Sequence, residues 1–214
     1  MKKDLSNMRL DYQKGSLEAQ TMAENPMVEF HHWFENALSA EISEPNAMTL
    51  ATCVNGQPSA RIVLLKGVDE NGFVFYTNYE GRKAKEMAEN PLAALLFFWG
   101  ELEQQIRIEG EIEKISPEES DTYYQSRDRG SRVGAWASPQ SSVIPNREYL
   151  SERVKEFETQ FADKETIERP PYWGGYRLKP HRFEFWQGRS SRLHDRIVYT
   201  KKEAGVWEKV RLAP

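Results

Sequence analysis

The segment FEFWQGRSSRLHDR, residues 183–196, concentrates side chains that can bind an anion or move a proton. If its second half is an extended strand, Arg192, His194 and Arg196 project from one face. A guanidinium presents paired donors that suit a phosphate or a ring oxygen, and an imidazole donates or accepts a proton near neutral pH. Trp186 lies on the face opposite to the two phenylalanines, where its ring can meet a flat ligand. The segment therefore predicts a site for a phosphorylated aromatic molecule.

A structural role explains the same segment about as well. Charged residues protect the edge strand of a sheet from aggregation, and phenylalanine and tryptophan are ordinary core residues. Period and composition leave both interpretations open.

Three further clusters of basic residues are present. Arg61 and Lys66 bracket the apolar run IVLL, and other cations gather at 82–85 and at 127–132. Solvated surface charge is the ordinary explanation of any one cluster, because lysine and arginine are mostly exposed. Arg61 and Lys66 are more informative, since we expect them at the ends of a buried strand, at a rim where an anion can be held.

The elements that must position these clusters are mainly strands. Apolar runs predict a meander of three strands near the start, two later strands and a β-rich tail. Helices are marked by caps, such as Asn25 before Pro26 and the capping box of Ser116 and Glu119. Because the strands show no βαβ alternation, the predicted fold class is mainly β with flanking helices (α+β), an antiparallel sheet or barrel. The predicted strands are 48–54, 60–68, 73–78, 92–99, 103–115, 181–186, 193–200 and 206–212, and the predicted helices are 25–42, 81–90, 116–127 and 146–163.

Length and charge limit the class of protein. A chain of 214 residues, 39% of them hydrophobic, can form one sizeable core. The net charge of −4 argues against a protein that mainly coats nucleic acid or an anionic membrane. The single cysteine excludes an internal disulfide and the start lacks a secretory signal, so we expect a cytoplasmic protein. No zinc-binding spacing, Walker motif or GxGxxG motif is present, and no metal is expected.

Five motifs extend across nearly the whole chain. They are RIVLLK, FYTNYEGRKAKE, YYQSRDRGSRVGAWAS, QSS and EFWQG...RLHDR, with RLAP at the C-terminus. Their order and spacing resemble those of the pyridoxine/pyridoxamine 5′-phosphate oxidase family. The resemblance implies a split β-barrel and a homodimer that binds two FMN molecules in clefts at the subunit interface. It also implies a flexible N-terminal segment, residues 1–24, that closes over the substrate as a lid, and one FMN-binding domain, residues 25–214.

The resemblance also implies roles for single residues. FMN would be held by Arg61, Ile62, Val63, Leu64, Leu65, Lys66, Tyr76, Thr77, Arg82, Lys83, Gln105, Gln140, Ser141, Trp186 and Arg196. The substrate would be contacted by Arg9, Tyr12, Lys66, Tyr123, Arg127, Ser131, Arg192 and His194, of which Arg192 and His194 would be catalytic. The implied reaction oxidises pyridoxine 5′-phosphate and pyridoxamine 5′-phosphate to pyridoxal 5′-phosphate, with hydride transfer to FMN and reduction of dioxygen to hydrogen peroxide.

The chain departs from the family pattern in one motif. Where SRPxxSQIGAW is usual, residues 126–136 read SRDRGSRVGAW. We expect Asp128, which replaces proline, to loosen the loop that presents Arg127. Arg132 replaces glutamine and adds a cation with no evident partner, and Arg189 receives no role.

Other classes of function remain as alternatives. A split-barrel protein can bind FMN or pyridoxal phosphate without catalysis, although Arg127, Arg192 and His194 are all present. A nucleic-acid binder would use the basic and aromatic residues, but the net charge is negative. A Ser/His/Asp hydrolase is disfavoured because Asp195 directly follows His194 and would point to the opposite face of a strand.

Overall fold

The computed structural model describes residues 3–8 and 10–214, and only the backbone of Ala204. Arg9, for which a substrate contact is predicted, lies outside the described residues. The described part of the chain forms five α-helices and nine strands. They are α1 Pro26–Ser39, β1 Ala47–Val54, β2 Gln57–Leu64, β3 Gly67–Asp69, β4 Gly72–Asn78, α2 Arg82–Glu89, β5 Leu92–Trp99, β6 Gln104–Lys114, α3 Pro117–Ser126, α4 Arg129–Ala137, α5 Arg147–Gln160, β7 Trp173–Gln187, β8 Asp195–Lys201 and β9 Trp207–Leu212.

The chain divides into two compact units, and four strands run through both. The first unit consists of the described residues up to Thr49 together with Ala94–Glu109 and Pro180–Pro214. The second consists of Leu50–Ala93 and Gly110–Lys179. The single domain predicted for residues 25–214 stays a prediction.

The strands form one sheet in the order β2-β1-β5-β6-β7-β4-β3, with β8 paired to β7 and β9 paired to β8. The pairs β3–β4, β4–β7, β7–β8 and β8–β9 are antiparallel. The predicted fold class, mainly β with flanking helices, is therefore confirmed. The predicted three-strand meander is confirmed in its pairings, since β1 pairs with β2 and β3 pairs with β4, but the predicted strand 60–68 is divided into β2 and β3.

Connectivity makes the sheet curl within the second unit. Only Leu65 and Lys66 separate β2 from β3, which stand at opposite ends of the strand order. Such a link reaches about 10 Å, whereas seven strands laid flat would separate the outer two by about 29 Å. The sheet must therefore bend back on itself, as a split β-barrel does.

In the first unit, aromatic residues of α1 form the core. The Asn25 side chain caps the helix by accepting from the Met27 N–H, as the sequence predicts. The Phe30 ring lies 5.4 Å from Phe97, and the Trp33 ring lies 5.1 Å from Phe185. These contacts fix α1 against the sheet residues of the same unit.

Two predicted strands are less buried than expected. In β5, Leu95 and Phe97 are buried, but Phe98 is exposed. In β2 no residue is buried, and Ile62 is 65% exposed. The reason is that β2 stands at one edge of the strand order, where a strand has a neighbour on one side only.

Helix α4 was not predicted from the sequence. Two glycines inside it weaken the helical signal, but tertiary packing compensates. Val133 packs with Phe161 and Ile167, and Trp136 and Phe157 cover this cluster.

The expectation that Asp128 loosens the loop after Arg127 is wrong. Asp128 is the N-cap of α4, and its carboxylate accepts the Ser131 N–H at 2.8 Å. Arg132 also has a partner, because its Nη1 donates to Gln125 Oε1 at 2.8 Å. Both departures from the family motif are thus accommodated by local hydrogen bonds.

The contribution of the Asp128 cap to the stability of α4 can be tested by substitution. Asp128→Ala removes the acceptor for the Ser131 N–H and should lower the melting temperature, whereas Asp128→Asn keeps an acceptor and should melt close to wild type. Thermal denaturation followed by circular dichroism measures both variants. Equal melting of all three proteins would show that the cap contributes nothing.

Candidate active site

A hydrogen-bonded ring of polar side chains lies beside the start of α2 in the second unit. Lys83 Nζ donates to Thr77 Oγ1 at 3.0 Å and to Gln140 Oε1 at 2.8 Å. The Thr77 hydroxyl donates to the same Gln140 oxygen at 3.1 Å. Burial, with the nearby charge of Arg61, lowers the pKa of Lys83. The structure therefore brings Gln140 to Thr77 and Lys83, from which it is about 60 residues distant in the sequence.

The helix start adds more donors. The backbone N–H of Arg82 donates to Ser141 Oγ at 3.2 Å. A Cβ on Gly81, the residue before the helix, would lie 2.7 Å from Gln140 Oε1, so glycine permits the close approach. Amino, hydroxyl and amide groups at a helix N-terminus are the donors that a phosphate requires.

One carboxylate joins Arg61 to Arg82, which belong to two of the three basic clusters of the second unit. Glu86 Oε2 accepts from Arg61 Nη2 at 2.7 Å and from the Thr52 hydroxyl at 2.6 Å. Glu86 Oε1 accepts from Arg82 Nε at 2.8 Å. Burial acts to raise the pKa of Glu86, but the hydrogen bonds from Thr52, Arg61 and Arg82 outweigh it and lower that pKa to about 2. The carboxylate is therefore ionised at neutral pH.

Arg61 and Lys66 do not lie where the sequence placed them. Arg61 is inside β2, and its side chain also donates to Leu50 O, Thr52 Oγ1 and Ser59 Oγ. Lys66 lies in the link between β2 and β3 and is exposed. The predicted strand is interrupted here because the chain passes from one edge of the sheet to the other.

Aromatic rings stack beside a third arginine in the same unit. Tyr76 and Tyr123 stack with centroids 3.8 Å apart, and Tyr76 also stacks on Trp173 at 5.5 Å. The Arg127 guanidinium lies 4.7 Å from the Trp173 ring centre. Its Nη1 is buried and has no hydrogen-bond partner among the described residues. Ser131 lies one helical turn further on, in α4.

In the first unit, the segment 190–194 is not a strand. Ser191 and Arg192 have φ angles of 54° and 62°, and β8 begins only at Asp195. The predicted alternation of Arg192, His194 and Arg196 on one strand face is therefore wrong. The positive φ angles turn the backbone before β8 begins.

His194 is nevertheless oriented for chemistry. Its Nδ1 accepts the backbone N–H of Arg189 at 3.1 Å, so the proton of the neutral ring lies on Nε2. The Trp186 and Tyr12 rings lie 4.7 Å and 5.9 Å from the imidazole. With Arg192, Tyr12 and His194 line a cavity of about 480 Å³.

Arg196 is held by a buried acid. Its Nε donates to Glu184 Oε1 at 2.9 Å, and its Nη1 donates to the carbonyl of Ala213 in the C-terminal RLAP. Burial acts to raise the pKa of Glu184, but the Arg196 hydrogen bond and the charges of Arg196, Arg107 and Arg182 lower it. Arg196 and Trp186 are direct neighbours across β7 and β8.

The chain between Tyr12 and Leu17 is fastened by two carboxylates. Glu103 Oε2 accepts the N–H groups of Gln13 and Lys14 at 2.8 and 2.9 Å. Asp195 Oδ2 accepts the Leu17 N–H at 3.1 Å. These bonds seat Tyr12 beside Trp186, with ring centroids 5.8 Å apart.

Two family models match the chain over most of its length. Residues 34–161 match the model described as pyridoxamine 5′-phosphate oxidase. The chain belongs to the pyridoxamine 5′-phosphate oxidase family. Residues 173–214 match the C-terminal dimerisation region of pyridoxine 5′-phosphate oxidase.

Relatives of this oxidase family cover almost the entire chain. The pyridoxine/pyridoxamine 5′-phosphate oxidase of Burkholderia thailandensis is 58% identical over 98% of this chain and 99% of its own. The enzyme of the same name from Burkholderia mallei is 57% identical over the same shares.

Solved structures support the split β-barrel fold. PhzG from Burkholderia lata 383, crystallised with tetrahydrophenazine-1-carboxylic acid, has a TM-score of 0.85 at 32% identity and covers 92% of this chain and 96% of its own. A pyridoxamine 5′-phosphate oxidase-related, FMN-binding protein from Nostoc punctiforme has a TM-score of 0.70 at 18% identity and covers 90% and 100%. Among the described residues, no helix is long and apolar enough to cross a membrane.

Sequence reasoning missed several residues that orient or contact the side chains of the predicted site. Three of them had a local signal: Glu86 follows Arg82 by one helical turn, Glu184 alternates with Arg182 in a strand, and Arg189 stands in the predicted site segment. Glu103 and Trp173 had none, because their partners are distant in sequence.

The carboxylate of Glu103 generates a test of the N-terminal segment. Glu103→Ala leaves two backbone N–H groups without their charged acceptor, and such bonds contribute about 1.5 to 3 kcal/mol each. Trypsin should therefore cleave after Lys14 about ten-fold faster or more, measured by mass spectrometry of timed digests. Glu101→Ala, a neighbouring exposed acid, is the control and should cleave at the wild-type rate; equal rates in both variants would show that Glu103 does not hold the segment.

The pKa of Glu86 generates a pH prediction. Since the pKa in the folded protein, about 2, lies below the ordinary value of 4.5, the ionised carboxylate stabilises the fold above that range. This contribution, about 3 kcal/mol, is lost as the pH falls through the window between the two values. The difference in free energy of unfolding between wild type and Glu86→Gln should shrink from pH 5 towards pH 3, as measured by urea denaturation. A difference that does not change with pH would contradict the assignment.

Proposed function

We propose that the protein oxidises pyridoxine 5′-phosphate and pyridoxamine 5′-phosphate to pyridoxal 5′-phosphate with FMN as cofactor. The observation that carries the proposal is one cavity lined by Arg192, Tyr12 and an oriented His194, in a chain of this family. The Trp186 ring packs against His194 and Tyr12. Cationic and aromatic groups together suit a phosphorylated aromatic ring.

The donors of the second unit fit the phosphate of FMN. Lys83, Thr77 and Gln140 would hold it together with Arg82 and Ser141, because cationic and hydroxyl donors form short charge-assisted bonds to phosphate oxygens. The remaining predicted contacts to FMN are Arg61, Ile62, Val63, Leu64, Leu65, Lys66, Tyr76, Gln105, Trp186 and Arg196, and we retain them as part of the proposal.

The substrate phosphate would be bound by Tyr123, Arg127 and Ser131. The buried Nη1 of Arg127 has no partner among the described residues, and an anion would supply one. A buried, unpaired donor costs free energy that a bound phosphate oxygen would remove.

Arg192 and His194 would position the pyridine ring of the substrate and stabilise charge on it. FMN, when bound, would supply the acceptor for a hydride from the 4′ carbon, and dioxygen would then take up the two electrons and two protons as hydrogen peroxide. Pyridoxine 5′-phosphate would also lose its 4′ hydroxyl proton, and for pyridoxamine 5′-phosphate water would hydrolyse the resulting imine and release ammonia. The Arg192 guanidinium remains charged and can donate to a ring oxygen. The Nε2 proton of His194 is directed by the bond that Arg189 makes to Nδ1. The task of the protein is therefore orientation and electrostatic stabilisation.

The active form would be a homodimer. Residues 173–214 match a dimerisation region, and apolar residues such as Ile62 and Phe98 are more than half exposed on the single chain. A second copy of the chain would cover such surface.

Absorbance spectroscopy tests the proposed reaction. Protein loaded with FMN should show oxidised-flavin bands that bleach when pyridoxine 5′-phosphate is added without oxygen and return in air. A flavin spectrum that never bleaches with either substrate would favour the alternative, a binding protein without catalysis. Absence of FMN binding would refute the oxidase and an FMN-binding protein, and would leave only a protein that binds pyridoxal phosphate.

Two arginines of one loop test the catalytic assignment. Arg192→Ala should lower kcat about 100-fold or more while FMN content and melting temperature stay near wild type. Arg189→Ala removes a cation from the same cavity wall but keeps the backbone N–H that orients His194, so its kcat should change little. Similar losses in the two variants would mean that net charge matters, and that the position of Arg192 does not.

A further inference from the structure

We infer that Glu86 is a positioning residue for the FMN phosphate: its carboxylate fixes Arg82, and through Arg61 the adjoining strand, in the arrangement that binds the anion. The inference rests on the proposed FMN site. Glu86 ends the motif FYTNYEGRKAKE but was given no role from the sequence, and an acid beside a phosphate is at first sight unfavourable.

Glu86, Arg61, Thr52 and Arg82 form a hydrogen-bonded cluster that we call the clamp. Both carboxylate oxygens are used, one by Arg61 and Thr52, the other by Arg82. The Glu86 side chain is only 13% exposed, so water competes weakly for these bonds. The carboxylate thereby links β1, β2 and the first turn of α2.

The two arginines differ in the donors that they leave for a ligand. Arg61 directs four N–H bonds from its terminal nitrogens to Leu50, Thr52, Ser59 and Glu86. Arg82 is 69% exposed and uses Nε for Glu86, and its terminal nitrogens make no hydrogen bond within the described chain. Arg82 also lines a cavity of about 530 Å³ with Gln140 and Ser141. Glu86 thus binds Nε of Arg82 and leaves the two terminal nitrogens of the guanidinium for a phosphate.

Charge and geometry predict opposite effects on affinity. If Glu86 acted only through its charge, its removal would relieve repulsion of the phosphate and FMN would bind more tightly. If it acts by position, its removal frees Arg82 to adopt many rotamers, which FMN must then restrict when it binds, so FMN would bind more weakly. Whether the Kd for FMN falls or rises when Glu86 is replaced therefore decides between a charge effect and a positioning effect.

The chain supplies a matched control. Glu89 lies one turn further along α2 and lines the same cavity, but its carboxylate is bonded to Asn55 and to neither arginine. Glu89→Gln removes the same charge from the same cavity without opening the clamp.

The experiment titrates FMN and riboflavin into the cofactor-free protein and follows flavin fluorescence. Glu86→Gln should raise the Kd for FMN about ten-fold, and Glu86→Asp, which keeps the charge but is too short to reach both arginines, should raise it as well. Riboflavin, which lacks the phosphate, should bind all variants with wild-type affinity, and Glu89→Gln should leave the Kd for FMN unchanged or slightly lower.

Each of the other outcomes contradicts a specific part of the inference. Tighter FMN binding by Glu86→Gln, or unchanged binding by Glu86→Asp, would refute the positioning role. Equal weakening of FMN and riboflavin would show a general structural defect and would refute it too. If wild-type protein binds no FMN at all, the proposed function fails, which distinguishes that failure from the failure of the clamp.

Discussion

Pairing of arginines with buried carboxylates is the interaction on which the site depends. A guanidinium stays charged, so it can be held in a partly buried place only if an acid and hydrogen-bond acceptors surround it. Glu86 does this for Arg61, and Glu184 does it for Arg196; Glu86 also holds the more exposed Arg82. In each case the arginine is fixed in one direction, which loosely solvated surface charge would not achieve.

This pairing resolves the contrast between an acidic chain and a proposed site for phosphates. The net charge of −4 describes the whole surface, whereas an anion responds to the donors within a few ångströms. Lys83 shows how local surroundings act on one cation: burial lowers its pKa, and its amino group donates hydrogen bonds to Thr77 and Gln140. Both carboxylate oxygens of Glu86 accept hydrogen bonds from arginines, so these arginines, and not the ligand, interact with its negative charge.

Carboxylates also organise the backbone. Glu103 and Asp195 accept N–H groups from the chain between Gln13 and Leu17, and Asp128 caps α4. Irregular chain has no ladder to satisfy its N–H groups, and an ionised side chain is a strong acceptor for them. Tyr12 is placed beside Trp186 as a consequence of such bonds.

The sequence by itself determined the class of fold, most of the elements and the family. Periodic apolar residues and caps located four of the five described helices, because these signals act over a few residues. The sequence could not determine that β2 and β3 lie at opposite ends of the strand order, since this follows from pairings distant in the chain. It also did not show the turn at 190–194, because the positive φ angles there fall on Ser191 and Arg192 and not on glycine. The candidate residues were named by motif, but their neighbours Glu103 and Trp173, and the contacts of Glu86 with Thr52 and Arg61, were found only in the tertiary structure. Hydrogen bonds and ring stacking between segments 30 to 100 residues apart leave no local period in the sequence, so only the folded chain shows which side chains orient the site.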